Sequence, residues 1–275
     1  MPELPEVETV RKTLKNLILQ KQIENITVNW PKIIKLPLEI EQFIDALKGE
    51  TIQDIGRRGK FLILYTSKYA LVSHLRMEGK YGLFAEKEPL DKHTHVIFHF
   101  TDHTELRYKD VRKFGTMHLF KKGEEFGRPP LFDLGPEPFA EDFTVQYLTN
   151  MLAKTNRKIK PALLDQKLLV GLGNIYVDEA LFRAGIHPER IASTLNDKEI
   201  SLLHQEIVNT LMEAVNQGGS TIRSYINSQG EMGMFQRQLL VYGRKNEDCK
   251  KCGTALIKTV VGGRGTHFCP TCQKL

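Results

Sequence analysis

No apolar run in this chain approaches the roughly 20 residues that a membrane-spanning helix needs. The N-terminus reads Met1-Pro2-Glu3-Leu4-Pro5-Glu6-Val7-Glu8 and is acidic, so the cationic start of a secretory signal is missing. These two absences leave a soluble protein of the cytoplasm, associated with the nucleoid, as the expectation. Internal repeats and low-complexity tracts are missing too. Cysteine is scarce: there are four, and none precedes residue 249. No disulfide framework can therefore hold the body of the chain, and an ordinary hydrophobic core must do it. The apolar fraction of 41% and charged fraction of 26% suit such a core, and 275 residues suffice for two domains.

What is present begins with charge. The formal net charge is +6 and the isoelectric point about 9.0, which suits a polyanionic partner. The excess is local. Seven cations lie between Gly243 and Leu275 (Arg244, Lys245, Lys250, Lys251, Lys258, Arg264 and Lys274), against Glu247 and Asp248. The same stretch holds all four cysteines, Cys249, Cys252, Cys269 and Cys272, in a C-x2-C-x16-C-x2-C pattern. That spacing fits one structural Zn²⁺. Two disulfides are the alternative, but nothing in the sequence points to an oxidising compartment.

Pattern divides the chain. Val7, Val10, Leu14 and Leu17 recur at helical spacing, predicting a helix from Pro5 to about Leu19. From about Ile23 to Lys121 short β-rich runs alternate with turn residues, among them 61–65, 70–74, 96–100, 105–108 and 117–120. They predict an antiparallel sandwich or barrel. Pro129-Pro130 and Leu134-Gly135-Pro136-Glu137-Pro138 mark a boundary, read as a linker over 131–140. Helical periods follow at 143–153, 162–169, 176–184 and 198–217, and Gly218-Gly219 reads as a C-cap. Residues 220–238 read as a long mobile loop, and 239–275 as a zinc-bound β-hairpin. The fold class is α+β: a sandwich over 1–130, a helical domain over 141–238 and the cysteine module.

Several stretches carry chemistry. Removal of Met1 would leave Pro2 with a free secondary amine, and a terminal amine titrates near neutrality. Such a nucleophile can attack a sugar carbon, and its iminium stays cationic without a proton. Glu3 beside it is a candidate acid or base. The structural alternative is a helix start with Pro5 and acids in its first turn. Gly56-Arg57-Arg58-Gly59-Lys60-Phe61 gathers cations before a strand, for phosphate contact or, at Lys60, proton transfer; a solvated turn is the plainer reading. In His74-Leu75-Arg76-Met77-Glu78-Gly79-Lys80, an apolar Met77 stands among charges at a turn, where it could wedge into a base stack. Asp110-Val111-Arg112-Lys113-Phe114-Gly115 repeats that chemistry, although Phe114 could equally be core. The run 154–160 carries Lys154, Arg157, Lys158 and Lys160, and Gly171-Leu172-Gly173-Asn174 opens a helix. Backbone amides there suit phosphate. The third glycine of a dinucleotide fold is missing, so that fold is rejected. Arg264, framed by Gly262, Gly263 and Gly265, sits where a hairpin tip would approach DNA.

Taken together, PELPEVE, RRGKFL, SHLRMEGKYG, DVRKFGT, LGPEP, IKPALLDQ, GLGNIYVDEALFRAGIHP, QLLVYGR and GRGTHFCPTCQ span the whole chain. In that order they resemble the formamidopyrimidine-DNA glycosylases, bacterial base-excision repair enzymes. The resemblance implies a β-sandwich, a helix–two-turn–helix domain and a zinc finger, with DNA in the cleft between them. It implies a bifunctional glycosylase and AP lyase that removes 8-oxoguanine and formamidopyrimidines and cuts the strand by β,δ-elimination. Pro2 would be the nucleophile, Glu3 the acid, Lys60 the aid to β-elimination, and Arg264 the aid to δ-elimination. Met77, Arg112 and Phe114 would fill the gap left by an everted base. His74, His93, Lys154, Asn174, Tyr242 and Arg264 would contact DNA. Glu78, Ser220, Thr221 and Arg223 would meet the lesion within a loop over 220–238. One structural Zn²⁺ is the expected cofactor, and double-stranded DNA with oxidised purines or abasic sites the expected partner of a monomer. A related endonuclease VIII branch acting on oxidised pyrimidines, and a non-catalytic zinc-dependent DNA-binding protein, are the alternatives.

Overall fold

The computed structural model describes residues 1–220 and 233–275. The chain divides into two compact units, Met1–Asp133 with Gly218–Gly233, and Leu134–Gln217 with Met234–Leu275. The cysteine module thus belongs to the same unit as the helices. No helix among the described residues is long and apolar enough to cross a membrane.

The first unit opens with α1 (Leu4–Ile18), which has a proline in its first turn. Pro5 costs nothing there, because the first amides of a helix lack intrahelical partners anyway. Val7, Val10, Leu14 and Ile18 form its buried stripe, and Leu17 packs against its margin. The strands are β1 (Ile23–Val28), β2 (Ile34–Leu36), β3 (Asp54–Arg58), β4 (Phe61–Tyr65) and β5 (Tyr69–His74). They continue with β6 (Lys80–Ala85), β7 (Thr94–Phe100), β8 (Thr104–Lys109) and β9 (Thr116–Lys121). One sheet runs β1-β7-β8-β6 and the other β2-β9-β5-β4-β3. Leu62, Leu64 and Leu71 from the second sheet join Val96, Phe98, Phe100 and Leu106 from the first in a single core. Each such side chain contributes about 1.5–3 kcal/mol when fully buried.

Two features depart from the expected antiparallel sandwich. The β2–β9 pair is parallel. A helix, α2 (Ile40–Leu47), also interrupts the strand region. Ile40, Phe43, Ile44 and Leu47 follow helical spacing, a period masked by the β-rich segments on either side. Phe43 and Leu47 bury completely or nearly so.

The second unit contains α3 (Val145–Ala153), α4 (Ile159–Leu163), α5 (Asn174–Arg183) and α6 (Asp197–Asn216). The helix expected at 162–169 thus starts earlier and is shorter. In α6, Asn196 and Glu199 cap reciprocally: the Asn196 side chain accepts from the Glu199 amide, and Glu199 accepts from the Asn196 amide. Leu148, Leu152, Leu163, Leu181, Leu203, Ile207 and Leu211 form the helical core. Part of the expected 220–238 loop is ordered helically, because Phe235–Gln238 make a 3₁₀ turn with Phe235 fully buried.

The hairpin is β10 (Ile257–Val261) and β11 (Arg264–Phe268), joined by Gly262 and Gly263. Both glycines have positive φ, 57° and 73°, as a two-residue hairpin turn that follows strand twist demands. Phe182 of α5 packs with Val241, Leu256, Cys249 and Cys269 beneath the cysteine module. Glu179 of α5 fixes the chain entering that module: its carboxylate accepts from the amides of Leu240, Val241 and Tyr242 at 2.8–2.9 Å. Burial pushes its pKa up, and the three amides oppose that rise. Replacing Glu179 with alanine is expected to destabilise the second unit by about 2–4 kcal/mol, because three buried donors lose their acceptor. Urea unfolding followed at Tyr242 should show the shift, and an unchanged midpoint would contradict it.

Candidate nucleic-acid interface and catalytic centre

Pro2 and Glu3 are buried although Met1 is 47% exposed. The start of α1 fixes them. Glu6 Oε2 accepts from the Glu3 amide at 2.8 Å. The other oxygen, Oε1, accepts from the Ser220 amide at 2.8 Å and from its hydroxyl at 3.2 Å. One buried carboxylate therefore holds both the Pro2-Glu3 terminus and the first residue of the expected lesion loop. In the sequence Glu6 stands out only as an acid in the first turn. Thr221 and Arg223 lie outside the described residues.

Lys60 occupies the turn between β3 and β4 and is 6% exposed. Arg57, from the same basic run, binds Glu8 of α1 at 3.1 Å and the Gly59 carbonyl at 2.9 Å. Arg11 also pairs with Glu8. Burial alone would raise the Glu8 carboxyl, but hydrogen bonds and charge from Arg11 and Arg57 outweigh it and lower its pKa. Arg57 is thus a fastener between α1 and the turn that presents Lys60, a structural duty that the basic run concealed.

Two turns at one end of the sheets carry Met77, Arg112 and Phe114. Met77 is 38% and Phe114 51% exposed, so neither serves the core. Each follows a cation in the left-handed region, Arg76 at φ 53° and Lys113 at φ 58°. Such backbone costs of order 1 kcal/mol or more and persists only where surroundings impose it. A buried side chain imposes it in each case. His74 Nδ1 accepts from the Arg76 amide at 2.8 Å, so His74 braces the turn from below. The Asp110 carboxylate accepts from the amides of Arg112, Phe114 and Gly115 at 2.8–3.0 Å. Arg112 stacks over the Phe114 ring at 4.7 Å. His93 joins this end because its carbonyl accepts from the Asp110 amide. Glu78 is half-buried in the Met77 turn.

In the second unit, Asn174 begins α5 and donates Nδ2 to the Gly265 carbonyl at 2.9 Å. Lys160 makes the same carbonyl its acceptor at 2.9 Å, together with Thr266 Oγ1 at 2.9 Å and Asp178 Oδ1 at 2.7 Å. Both Lys160 and Asp178 have fully buried side chains. Asp178 Oδ2 also accepts from the His267 amide at 2.8 Å. This network fixes the hairpin from within and leaves Arg264 exposed at its tip. Tyr242 meets His267 edge-on at 4.8 Å. Lys154 is exposed at the end of α3, whereas Lys160, from the same basic run, is wholly internal. A lysine three residues before Leu163 gave no signal of that from sequence.

The four cysteines are free thiols, and their Sγ atoms lie within 4.8 Å of one another. The Cys249–Cys272 and Cys252–Cys269 separations are 4.0 and 3.5 Å. A disulfide needs about 2.05 Å, whereas tetrahedral Zn²⁺ with sulfur at about 2.3 Å implies neighbours near 3.8 Å. Amides of Lys251 and Cys272 donate to Cys249 and Cys269 sulfur, as thiolates require. The set fits one structural Zn²⁺, and the disulfide alternative falls.

Comparisons with known proteins agree over the whole length. Residues 1–117 match the formamidopyrimidine-DNA glycosylase N-terminal domain. Residues 134–226 match the H2TH domain of the same enzymes, and residues 246–275 the zinc finger found in FPG and IleRS. The formamidopyrimidine-DNA glycosylase of Bacillus subtilis is 67% identical over 273 residues, covering 99% of each chain. That of Halalkalibacterium halodurans is 64% identical with full coverage of both. A mutant Lactococcus lactis FPG solved with Fapy-dG-containing DNA superposes with a TM-score of 0.94 at 45% identity, over 100% of both chains. The Lactococcus lactis protein bound to DNA with an abasic site gives the same TM-score and identity, over 99% of this chain and 100% of that one.

Two outcomes follow from these sites. Burial first, then the charges of Arg76 and Lys60, lower the His74 pKa from 6.5 to about 3. The folded chain keeps His74 neutral while the unfolded chain protonates it. Its stabilising contribution is therefore complete above pH 6.5 and is lost as pH falls toward 3. Thermal unfolding across that window should flatten in His74→Gln, and an identical pH slope would refute the assignment. Chelation of zinc is expected to abolish duplex-DNA binding while the strand signal of the first unit persists in circular dichroism. Collapse of that signal would count against the separation.

Proposed function

Because the chain belongs to the formamidopyrimidine-DNA glycosylase family, we propose that it removes oxidised purines, 8-oxoguanine and formamidopyrimidines, from double-stranded DNA and then cuts the strand. The observation that carries this reading is the buried Pro2-Glu3 terminus tied through Glu6 to Ser220. Nucleophile, acid and lesion loop thereby start from one fixed point.

The chemistry runs as follows. Loss of Met1 leaves Pro2 as a secondary amine. Its lone pair attacks C1′ of the everted nucleotide, and the glycosidic bond breaks as the base takes its electrons. Glu3 supplies and later accepts protons at the sugar. The added amine loses its proton, and Glu3 protonates O4′ as the C1′–O4′ bond opens. The ring-opened iminium so formed acidifies the C2′ hydrogen, so that β-elimination expels the 3′ phosphate, with Lys60 assisting. A second elimination expels the 5′ phosphate and leaves a one-nucleotide gap, with Arg264 holding that phosphate. The base must first leave the stack, which costs a few kcal/mol. Met77, Arg112 and Phe114 offset this by filling the vacancy. His74, His93, Lys154, Asn174 and Tyr242 support the duplex, largely through its backbone. Glu78, Ser220, Thr221 and Arg223 are assigned to recognition of the oxidised base. The enzyme acts as a monomer at the nucleoid.

Borohydride should trap the intact protein covalently on a duplex carrying 8-oxoguanine. Pro2→Gly should lower the trapping rate by about tenfold or more, since the secondary amine is lost. Equal trapping by both, or an active protein that retains Met1 by mass spectrometry, would sink the mechanism. A thymine glycol duplex in parallel distinguishes a pyrimidine preference.

A further inference from the structure

The two exposed turns share a hidden support. Tyr108 of β8 is fully buried, and its ring meets Tyr81 edge-on at 5.0 Å. Its hydroxyl oxygen lies 2.2 Å from where a Cβ on Gly79 would stand, and 1.8 Å from where one on Gly115 would stand. Gly79 closes the Met77 turn, its amide donating to the Leu75 carbonyl. Gly115 closes the Arg112–Phe114 turn. No side chain other than hydrogen fits at either position. A single phenol tip therefore forms the floor of both turns. Among the described residues its hydroxyl makes no hydrogen bond of ordinary geometry, and it lies beside the Asp110 carboxylate, so its chief role is that of a spacer. Burial, aided by Tyr81 and Asp110, raises its pKa and keeps it neutral.

Asp110 completes the support. It is 1% exposed, and one of its oxygens lies 3.3 Å from the Gly115 Cβ position. Its backbone is fixed on both sides, because the carbonyl meets His95 Nε2 at 2.8 Å and the amide donates to His93. The carboxylate in turn gathers three amides of the second turn. Protein interiors are packed too tightly for one wall of such a contact to move alone.

We infer that Asp110 and Tyr108 are positioning residues that lock the Met77 turn and the Arg112–Phe114 turn into one wedge, entering the base stack as a unit. This rests on the reading above that Met77, Arg112 and Phe114 fill the vacated space. Neither positioning residue touches DNA in that arrangement. Their effect is confined to substrates whose stack must be parted.

The test is a mutant cycle on two substrates. One is single-turnover release of 8-oxoguanine from a duplex. The other is cleavage of an abasic site in single-stranded DNA, where no stack has to open. Asp110→Asn keeps the size of the side chain but replaces an acceptor with a donor. It should slow duplex excision by about ten- to a hundredfold, the loss of charge-assisted bonds, and change single-strand cleavage less than about twofold. Tyr108→Phe keeps the ring and removes only the spacer. In either background the penalty of Met77→Ala should shrink to about twofold, since contacting residues do not add independently. The inference is overturned if Asp110→Asn slows both substrates alike, or if the Met77→Ala penalty is undiminished in both backgrounds. If Met77→Ala, Arg112→Ala and Phe114→Ala all leave the otherwise intact enzyme at full duplex rate, the wedge reading itself fails. That result is separable from the first two.

Discussion

A carboxylate taken out of water costs several kcal/mol unless donors replace the solvent it has lost. Glu6, Asp110, Asp178 and Glu179 are all buried, and each recovers donors from backbone amides. Glu6 takes them from Glu3 and Ser220. Asp110 takes them from the Arg112–Gly115 turn. Asp178 takes one from His267 and a lysine ammonium besides. Glu179 takes three from the entry to the cysteine module. For Glu6, Asp110 and Glu179 the acceptor sits on a helix or at a strand end and the donors sit in an irregular segment, whereas Asp178 ties α5 to α4 and to β11. The electrostatic demand of a rigid element is thereby met by ordering a loop. The loops so ordered are those that present the candidate site residues.

This arrangement separates two jobs that charge performs in the chain. Glu8 with Arg11 and Arg57, and Lys160 with Asp178, are internal fastenings whose value lies in geometry. Breaking the fully buried Lys160–Asp178 pair would leave one charge stranded, a loss of about 3–5 kcal/mol. Arg264, Arg112 and Lys154 remain exposed, and exposed cations gain from meeting phosphate because counterions are released into bulk water. Basic residues adjacent in sequence fall into different groups. Lys154 faces solvent while Lys160 is internal. Net charge alone does not reveal which cations are available to a polyanion.

Much of the fold was readable from period. The α1 stripe, the strand runs and the α6 face follow the spacing of 3.6 or two that packing on one side requires. The glycine pair and the cysteine spacing located the hairpin and its metal for local reasons. What escaped reading depends on contacts distant in sequence. Glu6 meets Ser220 across 214 positions, and Lys160 meets Thr266 across 106. Neither partner carries a local signature, since a glutamate in a first turn and a lysine in a basic run are ordinary on their own. The helix α2 was missed for another reason. Eight residues are too few for their period to stand out between β-rich neighbours.

The same contrast explains why Met77 and Phe114 were recognisable while Tyr108 was not. An apolar side chain among charges, ahead of a glycine, violates the pattern of a packed strand and so attracts notice. Tyr108 obeys that pattern: it alternates correctly in β8, buries its ring and pairs across the sheet with Tyr81 and Val96. Its particular duty appears only when Gly79 and Gly115 are found against the same oxygen. Glycines at those positions otherwise pass for ordinary turn residues. A residue that supports a site by filling space leaves its mark on its neighbours' size, because the absence of side chains around it is what close packing requires.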